Sequence, residues 1–108
     1  MSRALLSRVW TSARFLTGDW KGQYQPEEVI FEVTTGCNLA CPMCARTHLP
    51  EPGPVKTMSL GSFEQLAGRL PASVERVAIA GLGEPLLNRD LPNMVGALTS
   101  LGLGSVLY

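Results

Sequence analysis

Three thiols fall within eight residues, Cys37-Asn38-Leu39-Ala40-Cys41-Pro42-Met43-Cys44, in the spacing C-x3-C-x2-C, and they are every cysteine the chain has. Thiols that pack as small hydrophobes are spread along apolar stripes. Here they share a loop flanked by proline and glycine, the kind of segment that carries function. An odd number cannot be used up in disulfides. The chemistry that needs several thiolates in one short stretch is metal binding, and two forms of it are open. Zinc favours four tetrahedral sulfur and nitrogen ligands, and the set Cys37, Cys41, Cys44 and His48 supplies four. Structural zinc sites, however, usually join two ligand pairs across a long loop, and here one continuous stretch would supply everything. An iron–sulfur cluster also takes thiolates, and a four-iron cluster normally takes four. The ferredoxin run C-x2-C-x2-C-x3-C-P is absent, so three thiolates leave one iron without a protein ligand. A catalytic metal site keeps such an open position for a substrate or co-substrate.

A second cluster of interest is Gly81-Leu82-Gly83-Glu84-Pro85-Leu86. It lacks the third glycine of a dinucleotide fingerprint, since Leu86 stands there, and alone it reads as a tight strand-to-loop turn. Glu84 adds a carboxylate and Pro85 stiffens the turn. Glu32 and Thr34 alternate onto one strand face just before the cysteines. Local pairing of polar strand residues accounts for them equally well.

The elements that must position these residues follow from pattern. Val29-Ile30-Phe31-Glu32-Val33-Thr34 is β-branched and aromatic and reads as a strand. Residues 35–57 hold all three cysteines together with Pro42, Pro50, Pro52 and Pro54, which forbid a long helix. Ser59 or Ser62 caps a helix whose buried stripe is Phe63, Leu66, Ala67 and Leu70, and Pro71 ends it. Glu75-Arg76-Val77-Ala78-Ile79-Ala80 is a second strand running into the glycines. Asp90 is placed as the N-cap of a second helix, with Pro92 in its first turn, Met94, Val95, Leu98 and Leu101 as its buried stripe, and Gly102 as its C-terminal stop. Ser105-Val106-Leu107-Tyr108 starts a third strand. Strand, helix, strand, helix, strand is an α/β pattern of parallel βαβαβ type. Both motifs then lie in loops at the carboxyl ends of strands, where parallel sheets gather their ligands.

The cysteine run resembles the radical S-adenosylmethionine (radical SAM) enzymes, whose mark is C-x3-C-x2-C after the first strand of a partial β/α barrel. The lead-in Val33-Thr34-Thr35-Gly36-Cys37-Asn38-Leu39 is similar too, most of all to the SPASM and cofactor-maturase subgroup. The family's Gly-Gly-Glu-Pro-like motif after the second strand is matched by Gly81-Leu82-Gly83-Glu84-Pro85. The resemblance covers residues 28–108, the first half of a (β/α)6 TIM-like barrel. Residues 1–27, an amphipathic helix and linker, lie outside it.

The resemblance implies that Cys37, Cys41 and Cys44 each hold one iron of a [4Fe-4S] cluster and that S-adenosyl-L-methionine chelates the remaining iron. Gly81 and Gly83 would let the backbone approach its methionine moiety, Glu84 would hold its amino group, and Pro85 would stiffen the loop. Met43 stands where the family commonly has an aromatic residue against the adenine, and a thioether can pack on a ring. The implied activity is oxidoreductive: one electron from the cluster cleaves the sulfonium, and the resulting 5′-deoxyadenosyl radical takes a hydrogen atom from an unknown peptide or small molecule. A low-potential electron donor is the implied partner. The family's later strands would follow Tyr108, so the chain reads as a truncated piece, able to hold the cluster but not to turn over alone.

Composition sets the remaining bounds. The chain has 108 residues, 45% hydrophobic, with nine basic and nine acidic side chains. That length suits one domain, and the balance of charge gives no general pull toward nucleic acid or an anionic membrane. No apolar run approaches the ~20 residues of a membrane span. No secretory signal precedes the cysteines, so a reducing, cytoplasmic setting is expected. Residues 1–18 carry Arg3, Arg8 and Arg14 and no acid. On a helix, Leu5, Val9, Ala13 and Leu16 share a face with Leu6 beside them. Packing across a larger domain, a weak interfacial membrane contact and an organellar targeting peptide are the three readings. Residues 17–23 read as a linker.

Overall fold

The computed structural model describes residues 3–18, 26–51 and 53–108. Most of the expected linker, beyond Gly18, lies outside the described residues, as does Pro52. Three short parallel strands, β1 (Glu28–Phe31), β2 (Arg76–Ile79) and β3 (Gly104–Leu107), form one sheet in the order β1-β2-β3. Phe31 lies opposite Ile79, and Ile79 opposite Leu107, so the carboxyl ends of the strands are level. The α/β, parallel reading holds.

β1 is shorter than residues 29–34. Thr34 leaves the sheet to form an antiparallel bridge with Thr57. The Met58 N–H donates to the Val33 carbonyl and the Thr35 N–H to the Lys56 carbonyl, each at 2.9 Å. These backbone groups find partners in the returning end of the cysteine loop rather than in β2.

Before β1 comes α1 (Arg3–Leu16); α2 (Leu60–Ala67) and α3 (Leu91–Ser100) connect the strands. Phe63 and Ala67 of α2, Leu91, Met94 and Leu98 of α3, and Val77 and Ile79 of β2 form one buried core with Val33 and Val74, and Val29 and Phe31 pack against it. Alternation along the strands therefore turns one sheet face toward both helices. Phe31 and Phe63 meet edge to face at 5.2 Å. The opposite face carries Ile30 in register with Ala78 and Val106, and Ile30 is 64% exposed.

Ser59 caps α2, its hydroxyl accepting from the Ser62 N–H at 3.2 Å. The stripe is narrower than expected: Leu66 is exposed. It sits about 60° round the helix from Phe63, on the flank of the line through Phe63, Ala67 and Leu70. Residues 68–70 tighten into a turn before Pro71, with Arg69 and Leu70 donating three residues back.

In α3 two expectations are corrected. Asp90 occupies the cap position without a side-chain cap bond, and its backbone is helical rather than extended. Its own N–H goes to the Asn88 side-chain oxygen at 2.9 Å. Leu101 is exposed because the helix has already ended at Ser100. Gly102 does act as the stop: at φ 72° it lets the Leu103 N–H reach back to the Leu98 carbonyl at 3.0 Å.

α1 forms as the pattern predicts, and on its apolar side Leu5, Leu6, Val9 and Leu16 are all exposed. Arg8 pairs with Glu27 at 2.9 Å, and the Arg14 guanidinium lies 5.5 Å from the centre of the Trp10 ring. No described helix is long and apolar enough to cross a membrane.

Candidate functional site

Because the strands are parallel and level, the loops after β1 and β2 start side by side. The first is closed at its base. Thr34 is buried, and its hydroxyl accepts from the Gly36 N–H at 3.1 Å while lying 3.2 Å from the Thr57 hydroxyl. Thr35 accepts from the Lys56 N–H at 2.8 Å. Residues 37–55 are thus one loop hung from a tied neck.

Within that loop the C-x2-C segment is a turn, the Cys44 N–H donating to the Cys41 carbonyl at 3.0 Å. The Thr47 hydroxyl donates to the same carbonyl at 3.1 Å. Cys44 also begins a single 3-10 turn, Ala45–His48. The Cys37 sulfur accepts from the Leu39 N–H at 3.4 Å. All three thiols are free, Cys41 exposed and the other two half-buried. Their donor chemistry fits a cluster with three protein ligands, since none is locked in a disulfide or sealed in the core. They are not gathered: among the described residues no group of three or more metal-binding side chains converges. Met43 is 87% exposed on the same loop.

His48 bears on the zinc alternative. Its Nε2 lies 2.8 Å from the Pro42 carbonyl oxygen. A carbonyl only accepts, so in this arrangement Nε2 carries a proton and only Nδ1 could offer a lone pair to a metal.

The loop after β2 packs directly onto that neck. Gly81 has φ 153°, and a Cβ there would come within 2.6 Å of the Glu32 side chain. The Leu82 N–H donates to Glu32 Oε1 at 2.6 Å. A Cβ on Gly83 would overlap the Thr34 carbonyl oxygen and stand 2.9 Å from that of Gly36. Gly83 thus has a role within the chain itself, allowing two backbones to touch. The Glu84 N–H then donates to the Gly36 carbonyl at 2.8 Å. The Glu84 carboxylate, half-buried, accepts from the Leu86 N–H through Oε1 at 3.1 Å and so caps the short turn Pro85–Leu87. Pro85 is buried.

The structure therefore joins Gly81, Gly83, Glu84 and Pro85 to the neck of the cysteine loop, with Cys37 one residue beyond Gly36. Sequence reasoning missed Asn88. It is 3% exposed, and its amide donates to the Val33 and Met58 carbonyls, both at 3.0 Å. Its oxygen takes the Asp90 N–H. One side chain thus ties the two sides of the neck to the start of α3. The signal available was an Asn two residues before the cap position Asp90, the Asx-turn spacing.

Comparison with known proteins finds enzymes. An AdoMet-dependent heme synthase of Oleidesulfovibrio alaskensis is 35% identical over 81 residues, 73% of this chain and 20% of the relative. A PqqA peptide cyclase of Xanthomonas oryzae pv. oryzae is 34% identical over 89 residues, 76% of this chain and 22% of the relative. A 7-carboxy-7-deazaguanine synthase of Rhodopirellula baltica is 27% identical over 101 residues, 94% of this chain and 38% of the relative. The chain spans about a fifth of the length of the first two. No family model matches the chain, and no solved structure does.

Proposed function

We propose that residues 28–108 are the first half of a radical SAM core, a partial β/α barrel, whose cysteine loop holds a [4Fe-4S] cluster and S-adenosyl-L-methionine. The observation that carries the reading is the contact of the two motif loops, sealed by the Glu84 N–H on the Gly36 carbonyl at 2.8 Å. Two separate sequence motifs meet where a parallel sheet binds ligands. The relatives support the superfamily, and one of them is named for its dependence on AdoMet.

In this reading Cys37, Cys41 and Cys44 each hold one iron, which requires the exposed loop to draw its thiols together while the tied neck stays put. When bound, the cluster would supply the low-potential electron for reductive cleavage of a carbon–sulfur bond of S-adenosyl-L-methionine. Glu84 Oε1 accepts from the Leu86 N–H, which leaves its other oxygen as the one that would hold the amino group of the methionine moiety. The glycine loop of Gly81 and Gly83 would lie beside that moiety, and Met43 would pack on the adenine. The substrate is a peptide or small molecule. The relative named as a peptide cyclase directs the first trials to peptides.

The test is anaerobic reconstitution with ferrous iron and sulfide. The reading expects about four irons and four sulfides per chain, broad brown absorption, and a spectral response to S-adenosyl-L-methionine. A colourless product, or one zinc without sulfide, overturns it. The chain alone is proposed to hold the cluster without turning over, because half a barrel leaves the cofactors open to water. Robust 5′-deoxyadenosine production under a strong reductant would contradict that.

A further inference from the structure

We infer that Glu32 is a positioning residue: from the end of the first strand it sets the conformation of the glycine loop and thereby the affinity of that loop for S-adenosyl-L-methionine. The inference rests on the proposed function for the ligand, and on geometry alone for the loop.

Three features lead to it. Gly81 and Gly83 sit two apart, and glycine gives up more backbone freedom on ordering than any other residue. A loop of this kind binds well only if something holds it beforehand. Its later half is held by backbone, through Gly83 against Thr34 and Glu84 on Gly36. Its first half is held by one side chain among the described residues, since the Leu82 N–H goes to Glu32 Oε1 at 2.6 Å. A bond from a backbone N–H to a carboxylate is charge-assisted and stronger than a neutral one.

Gly81 completes the device. The space that a Cβ would fill there is occupied by the Glu32 side chain, whose Cγ and Cδ would lie 2.6 and 2.7 Å from it. The missing side chain at Gly81 is thus where the carboxylate reaches the loop. Glu32 is exposed and follows Ile30 on the face away from the helices, so it adds nothing to the core. A polar residue with no packing role, spanning two loops that each bear a motif, is explained by the loop it holds. Asn88 also bridges, but it is buried, and its loss would disturb the fold at large.

The experiment has two arms. In the cluster-free 108-residue chain, hydrogen exchange at the Leu82 amide is compared among wild type, Glu32→Ala and Glu32→Gln. Glu32→Ala is expected to speed that exchange about fivefold, with the β2 amides unchanged. Glu32→Gln, whose amide oxygen still accepts, is expected to restore most of the protection. Equal rates in wild type and Glu32→Ala, or no rescue by Glu32→Gln, overturn the inference. In the reconstituted protein, Glu32→Ala is expected to weaken S-adenosyl-L-methionine binding about tenfold at unchanged iron content. Loss of iron in that variant overturns the inference too, because Glu32 would then serve the cysteine loop. A wild-type chain that takes up no iron sinks the proposed function instead, and the exchange arm still decides what Glu32 does to the loop.

Discussion

The Glu84 N–H and the Gly36 carbonyl are 2.8 Å apart, across a gap of nearly half the chain. This bond places a carboxylate-bearing residue next to the residue before Cys37 through main chain alone. The position of Glu84 therefore survives changes to its own side chain, while it depends on the two backbones being able to approach. A Cβ at Gly83 would block that approach.

Gly83→Ala should therefore be costly. The new methyl overlaps the Thr34 carbonyl, and Thr34 is buried and held by Thr57 and Gly36, so it cannot step aside. Overpacking of this kind costs about 1–3 kcal/mol. The expected result is a lower urea midpoint with an unchanged slope. A midpoint equal to wild type would mean that the two loops do not touch in solution.

Glu84→Gln separates the two uses of that side chain. The amide oxygen can still accept from the Leu86 N–H, so the turn Pro85–Leu87 stays capped. Stability should shift by less than about 0.5 kcal/mol. The charge is gone, however, and binding of S-adenosyl-L-methionine to the reconstituted chain should weaken roughly tenfold, the effect of losing one charge-assisted bond. Unchanged affinity would remove Glu84 from the site and leave it as a turn residue.

Asn88→Ala removes one side chain and strands two backbone groups, the Met58 carbonyl and the Asp90 N–H, while the Val33 carbonyl keeps its bond from the Met58 N–H. Unsatisfied buried groups cost about 1–3 kcal/mol each before relaxation or water entry. A loss of about 3 kcal/mol is expected, the largest of any single polar substitution here. Chemical denaturation measures it, and a loss below about 1 kcal/mol would show that water replaces the amide.

The sheet, its parallel sense and two connecting helices were legible because strand and helix periods are carried by residues that stay buried, such as Val77, Ile79, Phe63 and Met94. The ends of elements were less so. Asp90 looks like a cap, but its backbone is already helical and its side chain makes no cap bond, while Asn88 accepts from its N–H, an arrangement that spacing alone does not reveal. Leu66 and Leu101 fit a helical stripe whose width and length are set by the neighbouring elements, which sequence does not display. The cysteines and glycines announced a site by type and spacing. Glu32 shows in the sequence only as a polar strand residue near the cysteines, and Asn88 does not show at all, because each acts on a backbone group about fifty residues away.

Single removal of each metal-ligand candidate decides what the cysteine loop holds. Replacing Cys37, Cys41 or Cys44 with Ala leaves two thiols, too few for a cluster that already lacks a fourth, so each variant should lose most of its iron and sulfide after reconstitution. His48→Ala should keep the full content, because the cluster takes its protein ligands from the three cysteines, and Nε2 of His48 only supports the loop through the Pro42 carbonyl. For zinc the order reverses. A Cys3His site needs its imidazole, and His48→Ala would cost the metal as surely as any cysteine change. The four variants together, assayed for iron, sulfide and zinc, therefore separate a redox centre from a structural ion, whatever the substrate proves to be.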